Sequence, residues 1–242
     1  MDVGLIVRNI FSRILLVLVI LIFLIPIIIF MFLPERIRYS SRFVFAFVNW
    51  FYWCILKGSL LPIKYVGLEN IPDGPVIFAA NHQSSLDIPL LGVLSNGYPH
   101  IWLAKKEVMD TFFVRFVVPL IAVIVDVASP KNAMVSLRKI LTLVNNHHRN
   151  LMIFPEGARF EDGAIHPFFG GFVILAKKTA RPVVPVCIVG VNKAYAPDTF
   201  LVRWHPITVI VGKPFVYGED ETDESFKDRV YQWFLEQMRQ NS

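Results

Sequence analysis

The chain has 242 residues, 55% of them hydrophobic and 14% aromatic, with 18% charged and a mean hydropathy of +0.53. This balance argues against a freely soluble globular protein. The formal net charge is +5, which suits nucleic acid, an anionic membrane surface or a phosphate-bearing substrate. Residues 1–64 hold seven basic groups against Asp2 and Glu35, and the remaining 178 residues balance at 17 of each sign, so the excess belongs to the N-terminal region. Cys54 and Cys187 both lie in apolar runs. A disulfide framework and a structural zinc site are excluded, and neither thiol has the neighbours of a nucleophile.

Residues 14–33 read ILLVLVILIFLIPIIIFMFL without a charge, about the length that crosses the ~30 Å hydrocarbon layer as a helix. Arg8 and Arg13 form a basic front like that of a signal peptide, but the apolar run is too long and no small-residue cleavage site follows it. Pro26 predicts a kink. After PERIRYSSR comes a second apolar stretch, residues 43–61, rich in Phe43, Phe45, Phe47, Trp50, Phe51, Tyr52 and Trp53. Aromatic density of this kind suits a bilayer interface. Residues 1–62 are therefore expected to anchor the chain, as a hairpin that spans twice, a hairpin that dips into one leaflet, or a single spanning helix. Arg36, Arg38 and Arg42 at the tip argue against burying it in hydrocarbon. Each arrangement leaves the rest of the chain at the membrane surface, on the cytoplasmic face by the positive-inside rule.

From Ile63 onward, short β-branched runs alternate with helical patterns. Strands are expected at IKYVG, PVIFAAN, HIWLAK, IAVIVDV, LMIFPEG, VVPVCIVGV and ITVIVGKPF. Helices are expected near 85–95, 110–118, 132–146, 171–178 and 221–239. This alternation predicts an α/β domain over residues 63–242 with a mixed, largely parallel sheet. In the last helix Phe226, Val230, Trp233, Phe234 and Met238 recur at helical spacing, a core stripe.

Two strand exits carry candidate chemistry. The first reads Asn81, His82, Gln83, Ser84, Ser85, Leu86, Asp87. A serine there is expected to cap the following helix, and Asp87 in its first turn can fold back onto Nδ1 of His82, leaving Nε2 as a general base. The second reads Phe154, Pro155, Glu156, Gly157, Ala158, Arg159, where glycine lets backbone amides approach an anion and Arg159 offers a bidentate fork for phosphate. Each exit also has a bland reading, a capped helix or a turn-bound ion pair. No G-x-S-x-G elbow is present. His147 and His148 are adjacent and so diverge on a helix, which does not suit metal binding. His100, His166 and His205 receive no role.

NHQSSLD and FPEGAR, about 70 residues apart behind an apolar segment, resemble the PlsC-type family of membrane 1-acylglycerol-3-phosphate acyltransferases. His82 and Asp87 match its H-x4-D motif, and Glu156, Gly157 and Arg159 its E-G-x-R motif. LAKKEV, with Lys105 and Glu107, and VVPVCIVG, with Pro185, extend the likeness over roughly residues 65–212. The resemblance implies a glycerophospholipid acyltransferase fold and acyl transfer to a lysophospholipid hydroxyl from a thioester of coenzyme A or acyl carrier protein, with no cofactor. His82 and Asp87 would be catalytic, while Glu156, Gly157, Arg159 and Lys105 would bind the acceptor. The chain departs from the family at Ala158, where threonine is usual, at Val127, where arginine is frequent, and at residues 167–171, which lack the usual lysine. The acceptor is thus expected to be 1-acyl-sn-glycerol-3-phosphate or a lysolipid with a different headgroup. The rival reading is an inactive membrane-anchored lipid-binding scaffold. Nucleic acid is not expected as a partner, because the 178 residues after the anchor carry no net charge.

Overall fold

The computed structural model describes residues 3–38, 40–110, 118, 121–126, 128–145, 149–160, 162–195 and 202–241. Most of the helix expected near 110–118, Val127 and the His147–His148 pair lie outside the described residues. Among the described residues seven strands form one sheet: β1 (Ile63–Val66), β2 (Ile77–Ala80), β3 (His100–Lys105), β4 (Ala122–Val125), β5 (Asn150–Ile153), β6 (Val183–Val189) and β7 (Ile207–Val211). Their spatial order is β1-β7-β6-β2-β5-β3-β4, and only β6 and β7 pair antiparallel. The sheet is therefore mixed and largely parallel, as the alternation of strands and helices predicts. Strand β2 explains why its sequence is apolar throughout: Ile77 and Ala79 enter one core, Phe78 and Ala80 the other, so both faces are covered.

Helices fill the two layers: α1 (Val3–Met31), α2 (Glu35–Arg38), α3 (Arg42–Gly58), α4 (Asp87–Gly92), α5 (Pro130–Asn145), α6 (Gly171–Thr179), α7 (Val191–Ala194) and α8 (Asp223–Asn241). On one face Tyr52 and Leu56 of α3 join Leu90 and Leu91 of α4. On the other, Ile140 and Val144 of α5, Phe172 of α6 and Phe226, Val230 and Phe234 of α8 close the second core. The stripe expected on the last helix is that packing surface.

The two N-terminal apolar segments form a helical hairpin that lies along the first layer. Within it, Ser12 donates to the Gly58 carbonyl at 2.7 Å, and Phe23 packs on Phe47, Trp50 and Phe51. Asn9 pairs with both the N–H and the carbonyl of Val202, which fixes the start of α1 to the domain. The other side of α3 meets the domain through Phe45 on His100 and through Tyr52, whose ring fills the space a Cβ at Gly92 would need. Among the described residues, α1 alone is long and apolar enough to cross a membrane. The aromatic density of 43–61 thus divides: Phe45 and Tyr52 are buried in protein, while Phe43 and Trp50 are exposed. Arg42 at the tip lies over the Tyr98 ring rather than in an apolar layer.

Candidate active site

The C-terminal ends of β2, β3 and β5 are neighbours in the sheet, so their exits meet at one edge, where folds of this class place reactive groups. Asn81 ends β2 by pairing both ways with the backbone of Ile188 on β6, at 2.9 and 2.7 Å. That clamp fixes the point at which the chain turns into His82. Nδ1 of His82 lies 2.9 Å from Oδ2 of Asp87, which also accepts the N–H groups of Gln83 at 2.6 Å and Ser84 at 2.7 Å. The fold-back expected from the sequence is present. Its capping differs from expectation: Leu86 occupies the N-cap position without a side-chain cap bond, while Ser84 Oγ accepts the Leu86 N–H at 3.3 Å, ahead of the helix. Asp87 is 0% exposed. A carboxylate oxygen can only accept, so the neutral imidazole meets Asp87 in the tautomer with Nδ1–H, which makes Nε2 its acceptor nitrogen.

Glu156 is 1% exposed and bridges two turns. Oε1 accepts the His82 N–H at 2.9 Å, and Oε2 accepts the His166 N–H at 3.0 Å. Burial pushes its carboxyl above the usual range, against the lowering effect of these two amides. The sequence suggests that Glu156 orients Arg159 or meets the glycerol; in the structure each of its oxygens accepts a backbone amide, one from the His82 turn and one from the turn that bears His166.

Gly157 has φ +66°, and its N–H donates to the Phe154 carbonyl at 3.0 Å. The amide expected to meet an anion is therefore spent inside the turn. What the position demands is the left-handed backbone and the missing side chain. A Cβ there would lie 2.9 Å from Cδ2 of Phe169 and 3.0 Å from Cε of Lys105. Lys105, the last residue of β3, thus crosses Gly157 and sets its ammonium 4.9 Å from the Phe169 ring centroid. Arg159 is exposed two residues further on. It precedes Phe160, whose N–H returns to the His82 carbonyl at 2.9 Å.

Several contributors escape a reading by motif. Phe154 stacks on the His82 ring, with centroids 4.0 Å apart and planes 10° from parallel, and Trp102 stacks on Phe154 at 5.6 Å. His166, assigned no role from the sequence, pairs with Asp162 at 2.8 Å and stacks on Phe160 at 3.7 Å. His100 is fully buried, facing the Tyr52 hydroxyl at 3.3 Å, and desolvation pushes its pKa down to about 4. Aromatic residues beside a strand exit give no signal that separates ring stacking from ordinary core packing.

The fold and site together define an α/β protein with a half-buried histidine on a buried aspartate at a strand exit, and an apolar hairpin along one layer. A family model described as Acyltransferase matches residues 62–189, and the chain belongs to that family. Among similar proteins, the 1-acyl-sn-glycerol-3-phosphate acyltransferase of Limnanthes douglasii is 32% identical over 171 residues, 70% of this chain and 60% of that protein. A chloroplastic one of Brassica napus is 32% identical over 156 residues, 63% of this chain and 44% of its own. The chain thus spans about half of the length of these plant relatives. The enzyme of the same name from Pseudomonas aeruginosa is 27% identical over 220 residues, covering 87% of this chain and 83% of that protein. The solved structure of PlsC, the LPA acyltransferase of Thermotoga maritima, superposes with a TM-score of 0.76 over 97% of this chain and 95% of its own, at 22% identity, a likeness of fold.

Proposed function

We propose that the protein acylates the free hydroxyl of 1-acyl-sn-glycerol-3-phosphate with an acyl chain from a coenzyme A or acyl carrier protein thioester. The observation that carries this reading is the His82–Asp87 pair at 2.9 Å, with Lys105 lying against Gly157 in the turn after β5. In the reaction the acceptor oxygen attacks the thioester carbonyl carbon while its proton passes to Nε2 of His82. Asp87 holds the imidazolium through Nδ1–H. Collapse of the tetrahedral adduct breaks the C–S bond, and the imidazolium returns the proton to the departing thiolate. General-base assistance of this kind is worth about 10² to 10⁴ in rate. Lys105 and Arg159 hold the acceptor phosphate, which orients the hydroxyl for attack. Glu156 acts at one remove, tying the His82 turn to the turn that bears His166.

The hairpin supports a one-sided anchor. Phe45, Tyr52 and Leu56 bury one stripe of α3 in the domain, over about three helical turns. A hairpin crossing the bilayer would have to expose that stripe. With the hairpin lying flat, the outward side chains of α1, together with Phe43 and Trp50, enter a single leaflet, on the cytoplasmic face, and lysolipid reaches the site from the same surface.

The test is transfer of labelled acyl thioester by purified protein in detergent to a panel of lysolipids, beside His82→Ala, with products resolved by mass spectrometry. Phosphatidic acid made by the parent and lost in His82→Ala is the expected result. His82-dependent transfer to a different headgroup would refute the acceptor. No His82-dependent transfer to any acceptor would leave the scaffold reading.

A further inference from the structure

Asp87 meets the imidazole of His82 through Nδ1 alone, so the placement of Nε2 also depends on what packs against the face of the ring. The face of the ring is covered by Phe154, at 4.0 Å and 10° from parallel. Phe154 is in turn covered by Trp102 at 5.6 Å and 29°. Trp102 is fixed by donating its indole N–H to the Tyr52 hydroxyl at 3.1 Å, and Tyr52 stands on α3. An unbroken series of contacts therefore runs from the hairpin to the base. A phenyl face presents negative charge density, so the ring interacts more strongly with imidazolium than with neutral imidazole.

We propose that Phe154 is the positioning residue of the base: its ring fixes the plane of His82 and stabilises the imidazolium formed as the acceptor hydroxyl gives up its proton, with Trp102 and Tyr52 holding Phe154 in place. This inference rests on the reading of His82 as the general base. The charged and titratable groups around His82 are Asp87 at the start of α4, Glu156 and Arg159 in the loop after β5, His166 bound to Glu156, and Lys105 at the end of β3. All are unchanged by substitution at residue 154, so a difference reads the ring alone.

The experiment compares the parent with Phe154→Leu and Phe154→Tyr as full chains in detergent. Rate is measured against pH, and the His82 ring is followed by NMR of histidine-labelled protein. Loss of the ring makes imidazolium harder to form, so in Phe154→Leu the acidic limb of kcat/KM moves to lower pH by about 0.4 to 1 unit. Its plateau kcat falls about 3- to 10-fold, with KM for both substrates within about twofold of the parent. Phe154→Tyr, which keeps an aromatic face, restores the limb. A drop in kcat with the limb and the NMR titration unmoved in Phe154→Leu would overturn the proposal, as would failure of Phe154→Tyr to restore them. If Phe154→Leu does not fold, Trp102→Phe, which removes the bond to Tyr52, takes its place with a smaller shift of the same sign, and an unmoved titration again overturns the idea. Retained activity in His82→Ala would defeat the general-base reading instead. The NMR titration would still decide whether the ring stabilises the imidazolium.

Discussion

Glu156→Gln separates two roles for a residue that sits inside the E-G-x-R motif. Each carboxylate oxygen accepts one backbone N–H, from His82 and His166, at 2.9 and 3.0 Å. Glutamine has one acceptor oxygen, so its amide NH₂ must face one of those N–H groups. A buried donor left unmet costs about 1–3 kcal/mol. Release of a desolvated carboxylate offsets part of that cost, for a net loss of about 1–2 kcal/mol. For a chain of this size the melting temperature should fall by about 2–4 °C for each kcal/mol. The catalytic effect follows from geometry: His82 loses its backbone tether, and a misplacement of about 1 Å can cost on the order of 10²-fold. The expected result is therefore a 10- to 100-fold loss of kcat with the acceptor KM changed by less than about twofold. Steady-state kinetics with thermal melting in detergent read both quantities. A raised acceptor KM with kcat and melting temperature intact would refute the brace and return Glu156 to direct contact with the glycerol. The pH dependence has a definite sign. Burial raises the folded carboxyl above its usual range, so the side chain's contribution to stability is fully present below the unfolded value and is lost as pH rises through the folded one. The parent should gain on Glu156→Gln as pH is lowered through that window.

Gly157→Ala forces a side chain into a left-handed backbone at a cost of about 1–2 kcal/mol, and its Cβ must displace Phe169 and Lys105. The acceptor KM should rise more than the thioester KM, and equal changes in both would refute the placement of Lys105 at the acceptor phosphate. Tyr52→Phe leaves the buried Trp102 N–H without its acceptor, a loss of about 1–3 kcal/mol that melting should read; an unchanged melting temperature would mean that the bond adds nothing. Cysteine placed at Phe32, in a Cys54→Ala background, and a second one at the chain end should label from the same side of sealed vesicles with a membrane-impermeant maleimide. Protection of position 32 alone, relieved when the vesicles are opened, would refute one-sided anchoring.

Much of this architecture is legible in the sequence because it rests on local pattern. The apolar run at 14–33 and the strand and helix periods depend on burial and backbone preference, which neighbouring residues record. The His82–Asp87 pairing is legible for the same reason: the partners are five residues apart, joined by the short turn that leads into α4. Contacts between distant segments are a different matter. Glu156 reads as a charged partner for Arg159 three residues away, yet its oxygens go to amides ten and 74 residues distant, because β2 and β5 are neighbours in the sheet. Phe45 and Tyr52 look like interfacial aromatics until α3 is docked on the domain. Phe154 reads as the end of an apolar strand, and only the adjacency of β2, β5 and β3 sets it between His82 and Trp102. By itself the sequence determined the apolar N-terminal helix, the α/β alternation and the two polar strand exits. The tertiary structure decided which buried groups brace His82 and how the two N-terminal helices pack on the domain, since hydrogen bonds and ring stacks across strands depend on sheet order, which no short-range pattern encodes.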